Sequence, residues 1–122
     1  MASKVLLVED DPSSAEILQM ILESGGYETE VAGTAKQALA ALEYARCDVA
    51  VLDMMLPGMT TEDFVTALAA LKNPPPLIVH SARPQNELDI IARKLKAVGV
   101  LNKPTSIEMI LETVARACPS KV

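Results

Sequence analysis

The chain has no tryptophan, only two tyrosines and one phenylalanine, only two cysteines and no long uninterrupted apolar run. Each shortage excludes something. Three aromatics, Tyr27, Tyr44 and Phe64, make no platform for stacking bases. Cys47 and Cys118 are too few for a disulfide framework or a metal knot, so both read as small apolar filler or surface thiols in a reducing compartment. No segment approaches the roughly 20 apolar residues of a membrane span, and the N-terminal residues lack a signal peptide's apolar centre. No membrane contact is expected, and the expected location is the cytoplasm. With 16 acidic against 11 basic residues and a net charge of −5, the chain has no basic face to displace phosphate counterions, so no direct nucleic-acid binding is expected. The one basic concentration, Arg93, Lys94 and Lys96, falls in a helical pattern and reads as a solvated face.

What is present is a regular alternation of short apolar runs and longer stretches with helical period, without linker, repeat or low-complexity segment. Strands are expected at about 4–9, 27–32, 48–53, 76–81 and 98–102, and helices at about 12–24, 34–46, 61–72, 85–97 and 106–117. Runs such as A-V-L-D and L-I-V-H carry no in/out alternation, as in parallel strands buried on both faces. Pro12 suits a first helical turn, Asp11 and Thr34 suit caps, Thr60 or Thr61 can cap the third helix, Gly25-Gly26 ends the first, and Asn73 before three prolines stops the third. Five strand–helix pairs with right-handed crossovers imply a doubly wound α/β domain. The expectation is one domain over 1–122, with its core at about 4–117 and no output domain within these residues, either standing alone or cut from a longer regulator.

Ligands in such sheets bind beyond the carboxyl ends of the strands. Those ends carry Glu9-Asp10, Asp53, His80-Ser81 and Asn102-Lys103-Pro104. Two acidic strand ends side by side would repel each other unless a cation neutralised them, and Mg²⁺ favours such hard oxygen ligands while keeping several waters. A lone Asp, Ser or Lys-Pro at a strand end is ordinarily a cap, turn or loop residue. Four sets, each closing a different apolar strand, share one explanation.

In order and spacing, V-L-L-V-E-D-D-P, V-L-D-M-M-L-P-G-M, L-I-V-H-S-A and G-V-L-N-K-P resemble the receiver domain of two-component response regulators over nearly the whole chain. The resemblance implies a flavodoxin-like (βα)5 three-layer sandwich with a five-stranded parallel sheet in the order 2-1-3-4-5. It implies Asp53 as phospho-acceptor, Lys103 and Ser81 as its catalytic partners, and Mg²⁺ held by Asp10, Asp53 and the Met55 backbone carbonyl, with Glu9 acting through a water. The expected function is a phosphorylation-activated switch and not an enzyme in its own right, signalling through the fourth helix, fifth strand and fifth helix. The implied donor is a sensor histidine kinase or a histidine phosphotransfer protein, and the output is an unidentified protein target. Lys94 and Lys96 facing Glu108 and Glu112 would also permit a homodimer. In the first helix, Ser14, Leu18, Ile21 and Leu22 should pack on the sheet, whereas Ser13, Ile17 and Met20 form an adjoining stripe that is either the donor's docking face or core margin.

Departures from the family pattern matter. Val100 stands where members usually have an aromatic, and a stiff β-branched side chain cannot swing as a ring does, so a smaller shift on phosphorylation is expected. Met55 cannot orient a water and Arg83 can cover or pair with a phosphoryl group, so slow autodephosphorylation is expected. The Lys103-Pro104 bond is commonly cis in the family, and the sequence leaves cis and trans open. Rival readings are an aspartyl phosphohydrolase, which would want a second Asp where Met55 stands, a flavodoxin-like nucleotide or flavin module, which would want a phosphate loop in place of E-D-D-P, and a degenerate receiver that binds protein without phosphorylation.

Overall fold

The computed structural model describes residues 3–44 and 47–118. Five strands, β1 (Lys4–Val8), β2 (Glu28–Ala32), β3 (Val49–Leu52), β4 (Leu77–Ser81) and β5 (Gly99–Asn102), alternate with five helices. The helices are α1 (Pro12–Ser24), α2 (Ala35–Tyr44), α3 (Thr61–Ala69), α4 (Gln85–Leu95) and α5 (Ile107–Ala117). All strand pairs are parallel, in the order β2-β1-β3-β4-β5. This is the expected three-layer doubly wound sandwich. Ala45 and Arg46, expected at the end of the second helix, lie outside the described residues.

The sheet buries both faces because successive side chains of a strand point to opposite sides. Leu6, Val8, Ala50, Leu52 and Val79 meet α2, α3 and α4, whereas Val5, Leu7, Val49, Val51 and Ile78 meet α1 and α5. Cys47 packs against the first layer and Cys118 against the second, and neither is in a disulfide. Burial pushes the Cys47 thiol up to about 11, which leaves it unreactive at neutral pH. Gly99 is needed because α5 comes close: a Cβ there would lie 2.8 Å from Thr113 Cγ2.

Local chemistry sets the element ends. Asp11 caps α1 by accepting from the Ser14 amide, Thr34 accepts from the Gln37 amide ahead of α2, and Thr60, not Thr61, caps α3 by accepting from the Asp63 amide at 3.1 Å. Two helices are shorter than expected. α4 stops at Leu95 because Lys96 turns left-handed at φ 54°, and α3 stops at Ala69, ahead of the proline run that disfavours helical backbone at Asn73. In α1, Leu18 and Leu22 are buried while Ile17 and Met20 are 58 and 63 % exposed, so the second stripe is a free face rather than core margin.

Candidate functional site

The strand order sets the site. From β1 the chain winds outward to β2, then crosses back to β3 on the other side of β1, which leaves a crevice at the carboxyl ends of β1 and β3. Val8 pairs in register with Leu52, so the next residues, Glu9 and Asp53, emerge side by side. The ladder runs one residue beyond the strands: the Asp53 amide donates to the Val8 carbonyl at 2.9 Å, and the Lys103 amide donates to the Ser81 carbonyl at 2.8 Å. The backbone therefore carries all four strand-end groups to one edge.

There, Glu9, Asp10 and Asp53 each offer a carboxylate oxygen within 4.8 Å of the others. Glu9 and Asp53 are buried and Asp10 is exposed at the mouth. Asp53 Oδ1 accepts from the Met55 amide at 3.0 Å, and the Lys103 ammonium donates to Glu9 Oε1 at 3.2 Å and lies 3.6 Å from Asp53 Oδ2. The Lys103-Pro104 bond is cis. Ser81 is buried, and its hydroxyl accepts from the Arg83 amide at 3.2 Å.

The two buried carboxyls are driven apart. Burial, reinforced by Glu9, pushes Asp53 up to about 6 against the pull of the Met55 amide and Lys103. Burial also acts on Glu9, but the Asp11 amide and the Lys103 ammonium outweigh it and hold Glu9 below the usual carboxylate range. Of the two, Asp53 is therefore the carboxyl that takes up a proton first as pH falls. Two buried carboxylates with a third at the rim, and one ammonium among them, form a donor set suited to a hard divalent cation. Mg²⁺ fits these residues.

Sequence reasoning missed part of the surroundings. Thr61 donates its hydroxyl to the Met54 carbonyl at 2.8 Å, Asn102 Nδ2 donates to the Arg83 carbonyl at 2.8 Å, and the Arg83 guanidinium, expected near a phosphoryl group, binds Thr61 and Glu87. The i,i+4 spacing of Arg83 and Glu87 was the available signal. His80, 6 % exposed, faces the other way from Ser81 and lines a cavity of about 420 Å³ with Ile17, Leu18, Ile21, Pro104 and Ile110. Burial lowers its pKa to about 4, so the ring is neutral at pH 7.

Comparisons with known proteins bear on the family and the fold. Residues 5–115 match the family model described as the response regulator receiver domain. The chain is 34 % identical over 113 residues to the sensory transduction protein RegX3 of Mycolicibacterium smegmatis, covering 92 % of this chain and 49 % of that protein. It is 44 % identical over 70 residues to the DNA-binding response regulator MtrA of the same organism, covering 57 % of this chain and 31 % of that protein. The chain thus spans half or less of the length of these relatives. Among solved structures, chemotaxis response regulator CheY4 of Vibrio cholerae superposes with a TM-score of 0.83 at 31 % identity, covering 96 % of this chain and 99 % of that one. A family model spanning nearly the whole chain, with relatives alike in both sequence and fold, shows that the chain belongs to the response regulator receiver domain family.

Proposed function

We propose that the domain is a phosphorylation-activated switch in which Asp53 takes a phosphoryl group from a phosphohistidine on a sensor kinase or a histidine phosphotransfer protein. An Asp53 carboxylate oxygen forms the new O–P bond in line as the donor's N–P bond breaks, and the imidazole leaves with the electron pair and takes a proton from water. The Lys103 ammonium, within reach of Asp53, would neutralise the phosphoryl oxygens, and the Ser81 hydroxyl would donate to one of them. Mg²⁺ bound by Asp10, Asp53 and the Met55 carbonyl, with Glu9 through a water, would supply further positive charge there. The observation that carries this reading is the gathering of the Glu9, Asp10 and Asp53 carboxylates at the ends of two adjacent strands, with the half-buried Lys103 ammonium reaching Glu9 and Asp53 from a third.

Output then goes to a protein partner or a second copy of the domain. The exposed Ile90, Val98, Ile107 and Met109 on α4, the turn into β5 and α5 support that face as the contact surface. DNA binding is named for the longer relative MtrA, and the net charge of −5 of this chain argues against that role for the domain itself. The test is intact-protein mass after incubation with acetyl phosphate. One phosphoryl group should be added, requiring both Mg²⁺ and Asp53, and labelling that survives in Asp53→Asn or after chelation would overturn the assignment.

A further inference from the structure

Arg83 is the place where two hydrogen-bonded lines from the acceptor pocket converge. One line follows the loop after β3: the Met54 carbonyl, next to Asp53, accepts from Thr61 Oγ1 at 2.8 Å, and Thr61 Oγ1 accepts from Arg83 Nη2 at 2.8 Å. The other leaves the end of β4, where Ser81 Oγ accepts from the Arg83 amide at 3.2 Å. From the Arg83 guanidinium the connection to α4 is Nη1 to Glu87 Oε2 at 3.1 Å, in the first turn of that helix. The Arg83 carbonyl is also held, by Asn102 Nδ2 at 2.8 Å.

Two features leave this tie room to be released. Arg83 Nε is buried without a hydrogen-bond partner, a costly state for a permanently charged donor group, so the present position is held by the other bonds and not by complete satisfaction. The tie also crosses a gap: Arg83, Thr61, Glu87, Val65, Ile90 and Ile91 line a groove of about 940 Å³ between α3 and α4, so releasing it breaks little packing.

We propose that Arg83 is a positioning residue that holds the resting arrangement by tying the acceptor loop and Ser81 to the start of α4. This rests on the reading of Asp53 as the acceptor. A group on Asp53 that displaces Met54 or draws the Ser81 hydroxyl strains bonds meeting at Arg83, and its release from Glu87 frees the first turn of α4. A tie made only at rest lowers the fraction of molecules competent to take the activating group, and apparent affinity falls with that fraction.

The test is titration with beryllofluoride in Mg²⁺ of the wild type and of Arg83→Ala, Arg83→Lys, Glu87→Gln and the Arg83→Ala/Glu87→Gln double variant. Arg83→Ala should lower the apparent Kd about fivefold, the lower end of coupling between two sites. Glu87→Gln should lower it less, and the double variant should match Arg83→Ala, because both remove the same connection. Arg83→Lys should behave like Arg83→Ala, since one ammonium does not span Thr61 and Glu87 as a guanidinium fork does. An unchanged or weaker affinity in Arg83→Ala, or additive single effects, overturns the proposal. Glu87 is exposed, so its variant reads the tie even if Arg83→Ala folds poorly. If the wild type takes no beryllofluoride, the acceptor reading fails, and hydrogen exchange then judges the tie alone. Arg83→Ala should speed exchange at residues 85–88 relative to α5, and equal rates would sink it.

Discussion

The Lys103 ammonium lies nearer Glu9, at 3.2 Å, than Asp53, at 3.6 Å. The half-buried cation is thus shared between a carboxylate held below the usual range and one whose pKa burial raises to about 6. A divalent ion bound by these carboxylates would compete with that ammonium for the same oxygens.

Lys103→Ala should therefore separate metal binding from phosphoryl transfer. Removing one positive charge from beside the carboxylates should tighten Mg²⁺ binding about threefold or more at low salt, while acetyl phosphate labelling slows by roughly 10²-fold. Calorimetry suits the binding arm because the chain has no tryptophan. Weaker Mg²⁺ binding in the variant would show that Lys103 holds the carboxylates in place rather than competing for them.

Mg²⁺ affinity should fall with pH through the Asp53 transition. Proton and metal compete for this carboxyl, whose pKa is raised to about 6, and Glu9 stays charged throughout. Between pH 7.5 and 5 the apparent Kd should rise roughly tenfold, as expected for loss of one proton at pH 6. Titrations at three pH values would check this, and a flat profile would place the proton elsewhere.

Stability should respond to pH through two buried groups of opposite sign. His80, lowered by burial to about 4, contributes stability that is present above its unfolded value near 6.5 and lost as pH falls through 4, at most about 3 kcal/mol. Asp53, raised to about 6, favours the fold below its unfolded value near 3.8, and that contribution is lost as pH rises through 6. The two oppose each other between pH 4 and 6. Urea unfolding followed by circular dichroism should show His80→Leu gaining stability on acidification and Asp53→Asn losing it. Parallel curves for both variants would reject this account.

The free stripe on α1 should matter only to a protein donor. Polar replacement of Met20, or charge reversal at Glu16, should slow transfer from a phosphohistidine protein at least several-fold. Acetyl phosphate labelling should stay unchanged, and stability should stay within about 0.5 kcal/mol because both residues are exposed. Equal slowing of both reactions would remove α1 as the docking face.

Met55 is 60 % exposed two residues after Asp53, and its side chain offers a water no hydrogen-bonding group of useful strength. Hydrolysis of the acyl phosphate should be slow, and Met55→Asn should accelerate it several-fold. Fast phosphate release that is the same in both proteins would count against this.

The amino-acid order alone determined the alternation of strands and helices, their buried faces, most caps and the residues that close each strand. These follow from period and end chemistry, which adjacent residues set together. From that reading came Glu9, Asp10, Asp53, Ser81 and Lys103 as one group. Packing decided the rest. Lys103 meets Glu9 across 94 residues of chain because strand order and register bring them together. The hydroxyl of Thr61 serves Met54 because Thr60 already caps α3. The guanidinium of Arg83 goes to Thr61 and Glu87 because α3 and α4 flank it, and His80 is neutral because its side of β4 faces α1 and α5. Partners and burial at such positions depend on which distant elements fold against them, a quantity no local window of sequence contains.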